Sequence, residues 1–146
     1  MKEKGYFNVG NIGKFWLISG TRPYIRQLAE YAYTRHECSS MKAAAEVCRE
    51  MLKLCENDNL GMRYMLIHIY AYLEDEESAL ELVKQYPEDN STQVLLPMSV
   101  LYYKLGNYRK ATSYLHQLTD SNKDTFKFFD GFIKEGAWKN MSTMKR

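Results

Sequence analysis

Apolar residues along this chain recur three or four positions apart, in runs of ten to sixteen residues broken by short polar turns, which is the spacing of amphipathic helices. The first run opens at Thr21-Arg22-Pro23-Tyr24, where Thr21 can accept a backbone N–H and Pro23 is tolerated in the first turn. It continues to about His36, with Leu28, Tyr31 and Ala32 on one face. Ser39 or Ser40 caps a second helix over Met41–Cys55, whose buried stripe is Ala44, Val47, Cys48, Met51 and Leu54 or Cys55. After the polar turn Glu56-Asn57-Asp58-Asn59, a third helix over Leu60–Leu73 places Arg63, Leu66, Ile67 and Tyr70 on one side. The acidic run Glu74–Glu77 starts a fourth helix, where negative charge complements the positive end of the helix dipole. Its apolar face is Ala79, Leu80, Leu82 and Val83, and Pro87 ends it.

A fifth helix starts near Ser91 or Thr92 and stops before Gly106, with Pro97 inside the pattern. Proline beyond the first turn removes a hydrogen bond and costs about 3 kcal/mol, so the helix either starts late or kinks there. The sixth runs from Tyr108 to about Leu118 with Ala111, Tyr114, Leu115 and Leu118 inward. A seventh, over Asp124–Glu135, carries Phe126, Phe128, Phe129, Phe132 and Ile133 and ends at Gly136. It is too apolar to stand alone and reads as a C-terminal cap, followed by a basic tail from residue 137 to 146. The Gly- and aromatic-rich lead over residues 1–20, with a short helix near Ile12–Ile18, is expected to cover the other end.

The same helix-turn-helix pattern recurs three times. Ala44, Ala79 and Ala111 fall at matching places, 35 and 32 residues apart, where paired helices approach too closely for a larger side chain. A two-helix repeat of this length predicts an all-α helical solenoid in a single domain, with three antiparallel pairs between residues 21 and 123. Aromatics make up 14% of the chain, twelve of them Tyr, which suits a folded domain rather than a disordered one.

Charge and candidate chemistry narrow the function. Residues 1–28 carry five basic and one acidic residue, residues 29–91 six basic and thirteen acidic, and residues 92–146 nine basic and four acidic. An acidic middle between basic ends argues against a continuous nucleic-acid footprint. A binder using Lys104, Arg109, Lys110, Lys123, Lys127, Lys139, Lys145 and Arg146 is the lesser alternative. The same asymmetry could pair two copies head to tail, so a self-associating structural module is a second alternative. Cys38, Cys48 and Cys55 are odd in number with no Cys-x-x-Cys spacing, which fits a reducing, cytoplasmic setting. There is no apolar run that reads as a signal peptide or membrane span, so the glycosylation patterns at Asn90 and Asn140 read as chance.

His36, His68 and His116 are the only histidines, and they lack companions at metal-ligand spacing. Gly10-Asn11-Ile12-Gly13 has no Gly-Lys-Ser/Thr after it and is no phosphate loop. No nucleophile stands at readable spacing from a base. The expectation is a non-enzymatic protein with no metal and no cofactor.

Tyr102, Leu105-Gly106-Asn107-Tyr108, Ala111 and Leu115 resemble the tetratricopeptide repeat, with its aromatic, its Gly-containing turn and its small second-helix residue. In the two earlier copies Ser39 and Glu74 stand where the turn Gly would be, and no copy has the Trp. Gly13-Lys14-Phe15-Trp16, Thr21-Arg22-Pro23-Tyr24, Arg49-Glu50-Met51-Leu52 and Glu56–Tyr64 are similar to the suppression-of-tumorigenicity-type members of that family. The resemblance implies a right-handed superhelix whose first helices line a concave groove that binds a peptide or a partner surface. Matched helix by helix, the groove would show Tyr33 and His36, then Tyr64, Met65, His68 and Tyr72, then Tyr103 and Lys104. The family's carboxylate clamp for chaperone tails is absent, because Ala29, Tyr33, Met65, Gln93 and Leu96 stand at its positions.

Overall fold

Three times the chain reverses direction through one backbone device. Ser39, Glu74 and Gly106 each adopt the left-handed conformation, with φ of +58°, +60° and +73°. The next residue in each case donates its N–H to the carbonyl five positions back: Ser40 to Arg35 at 2.9 Å, Asp75 to Tyr70 at 3.0 Å, Asn107 to Tyr102 at 2.9 Å. This is the helix-ending geometry usually supplied by glycine, because an added Cβ crowds the carbonyl. Ser40, Asp75 and Asn107 then serve as N-caps of the following helices, and the Asp75 and Asn107 side chains accept from the N–H groups of Ser78 and Lys110. Four residues on stand Ala44, Ala79 and Ala111, all buried.

The computed structural model describes residues 5–125 and 127. Among them the regular structure is all α, with no strand: α1 Arg22–Glu37, α2 Met41–Leu54, α3 Met62–Leu73, α4 Glu76–Gln85, α5 Thr92–Lys104 and α6 Tyr108–Ser121. The chain divides into two compact units, Met1–Tyr86 and Pro87–Arg146. In the first, α1 packs on α2, α2 on α3 and α3 on α4; in the second, α5 packs on α6. Of the predicted seventh helix, Asp124, Thr125 and Lys127 are helical, and the remainder lies outside the described residues, as does the basic tail.

The lead differs from its expectation. No α-helix forms over residues 12–18; the segment is a series of turns followed by a 3-10 turn, Ser19–Thr21. Gly13, at φ +86°, turns the backbone so that it bridges to the end of α2 instead. The Phe15 N–H donates to the Leu54 carbonyl, and the Glu56 N–H to the Gly13 carbonyl, each at 3.0 Å. Phe15 is thereby fully buried, with Phe7 edge-on to it at 5.0 Å. Thr21 does not cap α1 with its side chain. Its hydroxyl donates to the carbonyls of Phe15 and Ile18, tying the lead to the helix start.

Within the helices the apolar stripes are close to those read from spacing. Ala44, Val47, Cys48, Met51, Leu54 and Cys55 are all buried. On α1 the buried positions are Ile25, Ala29 and Ala32, whereas Leu28 is half-buried and Tyr31 is exposed. Tyr31 can stay out because Arg35 lies over its ring at 4.8 Å and donates to its hydroxyl. Pro97 lies inside α5, which begins at Thr92 and not after the proline. Across the α5–α6 contact the buried Ser99 hydroxyl donates to the Ala111 carbonyl at 3.0 Å, an approach that a larger residue at 111 would block. Leu115, expected inward, is 40% exposed.

Candidate functional site

Counting back from the three left-handed residues puts the first helices of the pairs in a common register. Six positions before the turn stand Tyr33, His68 and Val100; two positions before it stand Glu37, Tyr72 and Lys104. All six are exposed. Positions four apart share one helix face, so α1, α3 and α5 each turn an equivalent face outward. In the first unit that face carries two tyrosines, Tyr33 45% and Tyr72 62% exposed, together with Glu37 and His68. In the second it is mixed, with Val100 beside Lys104.

Of the residues that the resemblance places in a groove, Tyr33, His68 and Tyr72 lie on the outward face of α1 and α3, and Lys104 on that of α5. Tyr103 is 65% exposed, one position from that register, with its ring edge-on to Tyr108 at 5.4 Å. His36 is half-buried. His36 and His68 are near enough for the charge of one to oppose protonation of the other. Partial loss of solvent around the His68 ring acts first and His36 second, and together they lower the His68 pKa below its ordinary 6.5.

Tyr64 and Met65 have other work. Tyr64 is half-buried; Arg63 donates to its hydroxyl at 2.6 Å and lies 4.3 Å over its ring. The same guanidinium also lies over the Tyr86 ring at 5.0 Å, and its Nη1 meets the Asp58 carboxylate at 3.0 Å. Asp58 is buried, and it also accepts the N–H groups of Met62 at 2.7 Å and Arg63 at 3.0 Å, which start α3. Burial raises the Asp58 pKa above the usual carboxylate value, although the two N–H donors and the Arg63 charge pull the other way. Met65 lies against α2, with its sulfur 3.6 Å from Cys48 Sγ. Sequence reading saw Asp58 only as part of a polar turn. Its signal was the Asp-x-x-x-Met-Arg spacing ahead of an apolar run, a carboxylate within reach of two unpaired helix N–H groups.

A separate cleft of about 400 Å³ opens in the first unit between α2 and α4. Arg49, Lys53 and Glu56 form one wall, Ser78, Glu81 and Gln85 the other, with Leu66 and Tyr70 of α3 beneath.

Among the described residues no group of three or more His, Cys, Asp or Glu side chains converges as a metal would need, and no helix is long and apolar enough to cross a membrane. The cysteines serve as core and surface groups. Burial, with the nearby Asp58 charge second, pushes the Cys48 thiol up to about 12, while Cys38 is exposed. No family model, curated protein or solved structure matches this chain.

Proposed function

We propose that this chain is a helical solenoid of the tetratricopeptide-repeat kind, a non-enzymatic cytoplasmic module that binds a peptide segment or partner surface along its first helices. The supporting observation is the common register, in which α1, α3 and α5 expose the same two positions ahead of an identical turn. Repeats that reuse one backbone device present equivalent side chains along one surface, which is how solenoids build extended binding faces. Tyr33, His68 and Tyr72 bring the large, amphipathic contact area in which interface energy concentrates. In this reading Tyr103 and Lys104 belong to the face of α5 in the second unit, and His36, Tyr64 and Met65 to the equivalent face of the first. Tyr64 and Met65 act as its support, because their contacts hold α3 in place.

The test replaces Tyr33 and Tyr72 together with Ala and measures capture of partners from source-cell lysate. The control replaces Glu46 and Lys84, exposed residues of the second helices. Tyr64 is left intact, since its loss would disturb Arg63 and Asp58. Loss of capture in the tyrosine variant, with an unchanged helical spectrum and an unaffected control, is the expected result. Capture that survives the tyrosine changes and fails in the control refutes the assignment.

A further inference from the structure

We infer that the cleft between α2 and α4 is a binding site for a small zwitterion with an apolar body, of amino-acid to dipeptide size. This stands apart from the first-helix face, which it does not include.

The walls of the cleft differ in charge: one side carries Arg49 and Lys53, with Glu56 just beyond the end of α2, and the other carries Glu81. Arg49 and Lys53 stand four residues apart on α2, and Glu81 faces them from α4. The α4 wall, Ser78 to Gln85, spans eight residues, about 10 Å of helix, and the facing wall runs from Arg49 on α2 to Glu56 just beyond its end. Among the described residues no ion pair involves Lys53, Glu56 or Glu81, so no salt bridge spans the cleft. Arg49 is steadied by the Tyr70 hydroxyl, 3.4 Å from its Nη1. Between the walls lie Leu52, Leu66 and Leu82, with Ile12 of the lead also lining the space.

Size decides between a small ligand and a folded partner. A volume of about 400 Å³ falls in the range of small-molecule sites. Leu52, Leu66, Tyr70 and Leu82 are each no more than 7% exposed. The floor therefore offers too little apolar surface to anchor a protein interface of standard size, roughly 800 Å² per partner. A compact ligand can use the small apolar contact that remains. Its carboxylate would meet Arg49 and Lys53, its ammonium Glu81, and its side chains the leucines. A ligand with one charge alone would leave the facing wall unanswered.

The experiment titrates leucyl-leucine into the isotopically labelled full chain and follows amide shifts. N-acetyl-leucyl-leucine, which lacks the ammonium, and leucyl-leucine amide, which lacks the carboxylate, are titrated in parallel. Expected are saturable shifts at Leu52, Lys53, Glu81 and Leu82, with the millimolar-range affinity, roughly, that a ligand this small can reach. Each blocked form should bind about 10-fold more weakly, as should the zwitterion to Lys53→Gln and to Glu81→Gln. Both residues are exposed, so neither change threatens the fold. The inference is overturned if no saturable shift appears at the cleft, if the blocked forms bind as well as the zwitterion, or if Glu81→Gln leaves binding unchanged. Because Tyr33 and Tyr72 lie outside the cleft, the Tyr33/Tyr72 variant should retain the titration whatever its effect on partner capture.

Discussion

Gly106 and Ser39 occupy the same conformation at the same place in two repeats, and exchanging their chemistry should move stability in opposite directions. At Gly106 a Cβ would meet nothing within 4 Å, so Gly106→Ala adds no clash and isolates the conformational cost of φ +73°. An L-residue in the left-handed region costs roughly 1–2 kcal/mol. The same substitution reduces the freedom of the unfolded chain, which returns about 0.4–1 kcal/mol. The net cost is about 0.5–1 kcal/mol. At Ser39, with φ +58°, the exchange runs the other way. Its side chain makes no hydrogen bond within the described residues, so Ser39→Gly relieves the backbone and gives up little else. A gain of about 0.5–1 kcal/mol is expected by the same two terms. With a urea slope of about 1–3 kcal/mol per molar, each change shifts the midpoint by roughly 0.2–1 M, downward for Gly106→Ala and upward for Ser39→Gly. The two positions lie in different compact units, so amide resonances from each unit should be followed separately through the titration. A destabilising Ser39→Gly, or two shifts of the same sign, would refute the equivalence of the turns.

Three further outcomes can be checked. Ala111→Leu should overpack the α5–α6 contact and displace the Ser99 hydroxyl from its carbonyl, costing about 1–3 kcal/mol; an unchanged denaturant midpoint at unchanged slope argues against the register. With Ellman's reagent at pH 8 the native protein should show one fast thiol, Cys38, and all three after denaturation; a second fast thiol would contradict the burial of Cys48 and Cys55. Because the folded-state pKa of His68 lies below 6.5, the unfolded state takes up protons first on acidification; stability falls as pH drops from 6.5 towards the lowered value, and melting curves of His68→Gln across that window should lose part of this slope, whereas an identical slope would remove His68 as its source.

The helices were legible because their stripes are regular. Ala44, Ala79 and Ala111 mark the tightest approaches in sequence and are buried in the structure. Ser39 and Glu74 were legible as occupants of the turn glycine's place, though nothing in a serine or a glutamate announces a left-handed backbone. The lead was misread because Ile12–Ile18 has helix-like spacing, while its partner, the end of α2, lies forty residues away. Tyr31 was placed inward by spacing alone; the arginine one turn on gives its ring and hydroxyl a satisfactory surface position. The distinction among Tyr33, Tyr64 and Tyr72 was not legible at all. It depends on Arg63, which lies over two tyrosine rings and meets a carboxylate, one of those rings being twenty-three positions downstream.

That guanidinium stack also has a mechanical meaning. Tyr86 is the last residue of the first unit, and Pro87 begins the second. Tension applied to the chain from the C-terminal side therefore enters the first unit at Tyr86. From there it passes through the stacked ring to Arg63 at the start of α3, and through the Tyr86 hydroxyl to the Glu56 carbonyl at 3.3 Å, just beyond α2. The load is shared between two strands of contact before α4 is asked to peel. Removing the Tyr86 ring would leave α4 to bear it alone, one turn at a time, and the unit would yield from its tail at lower force.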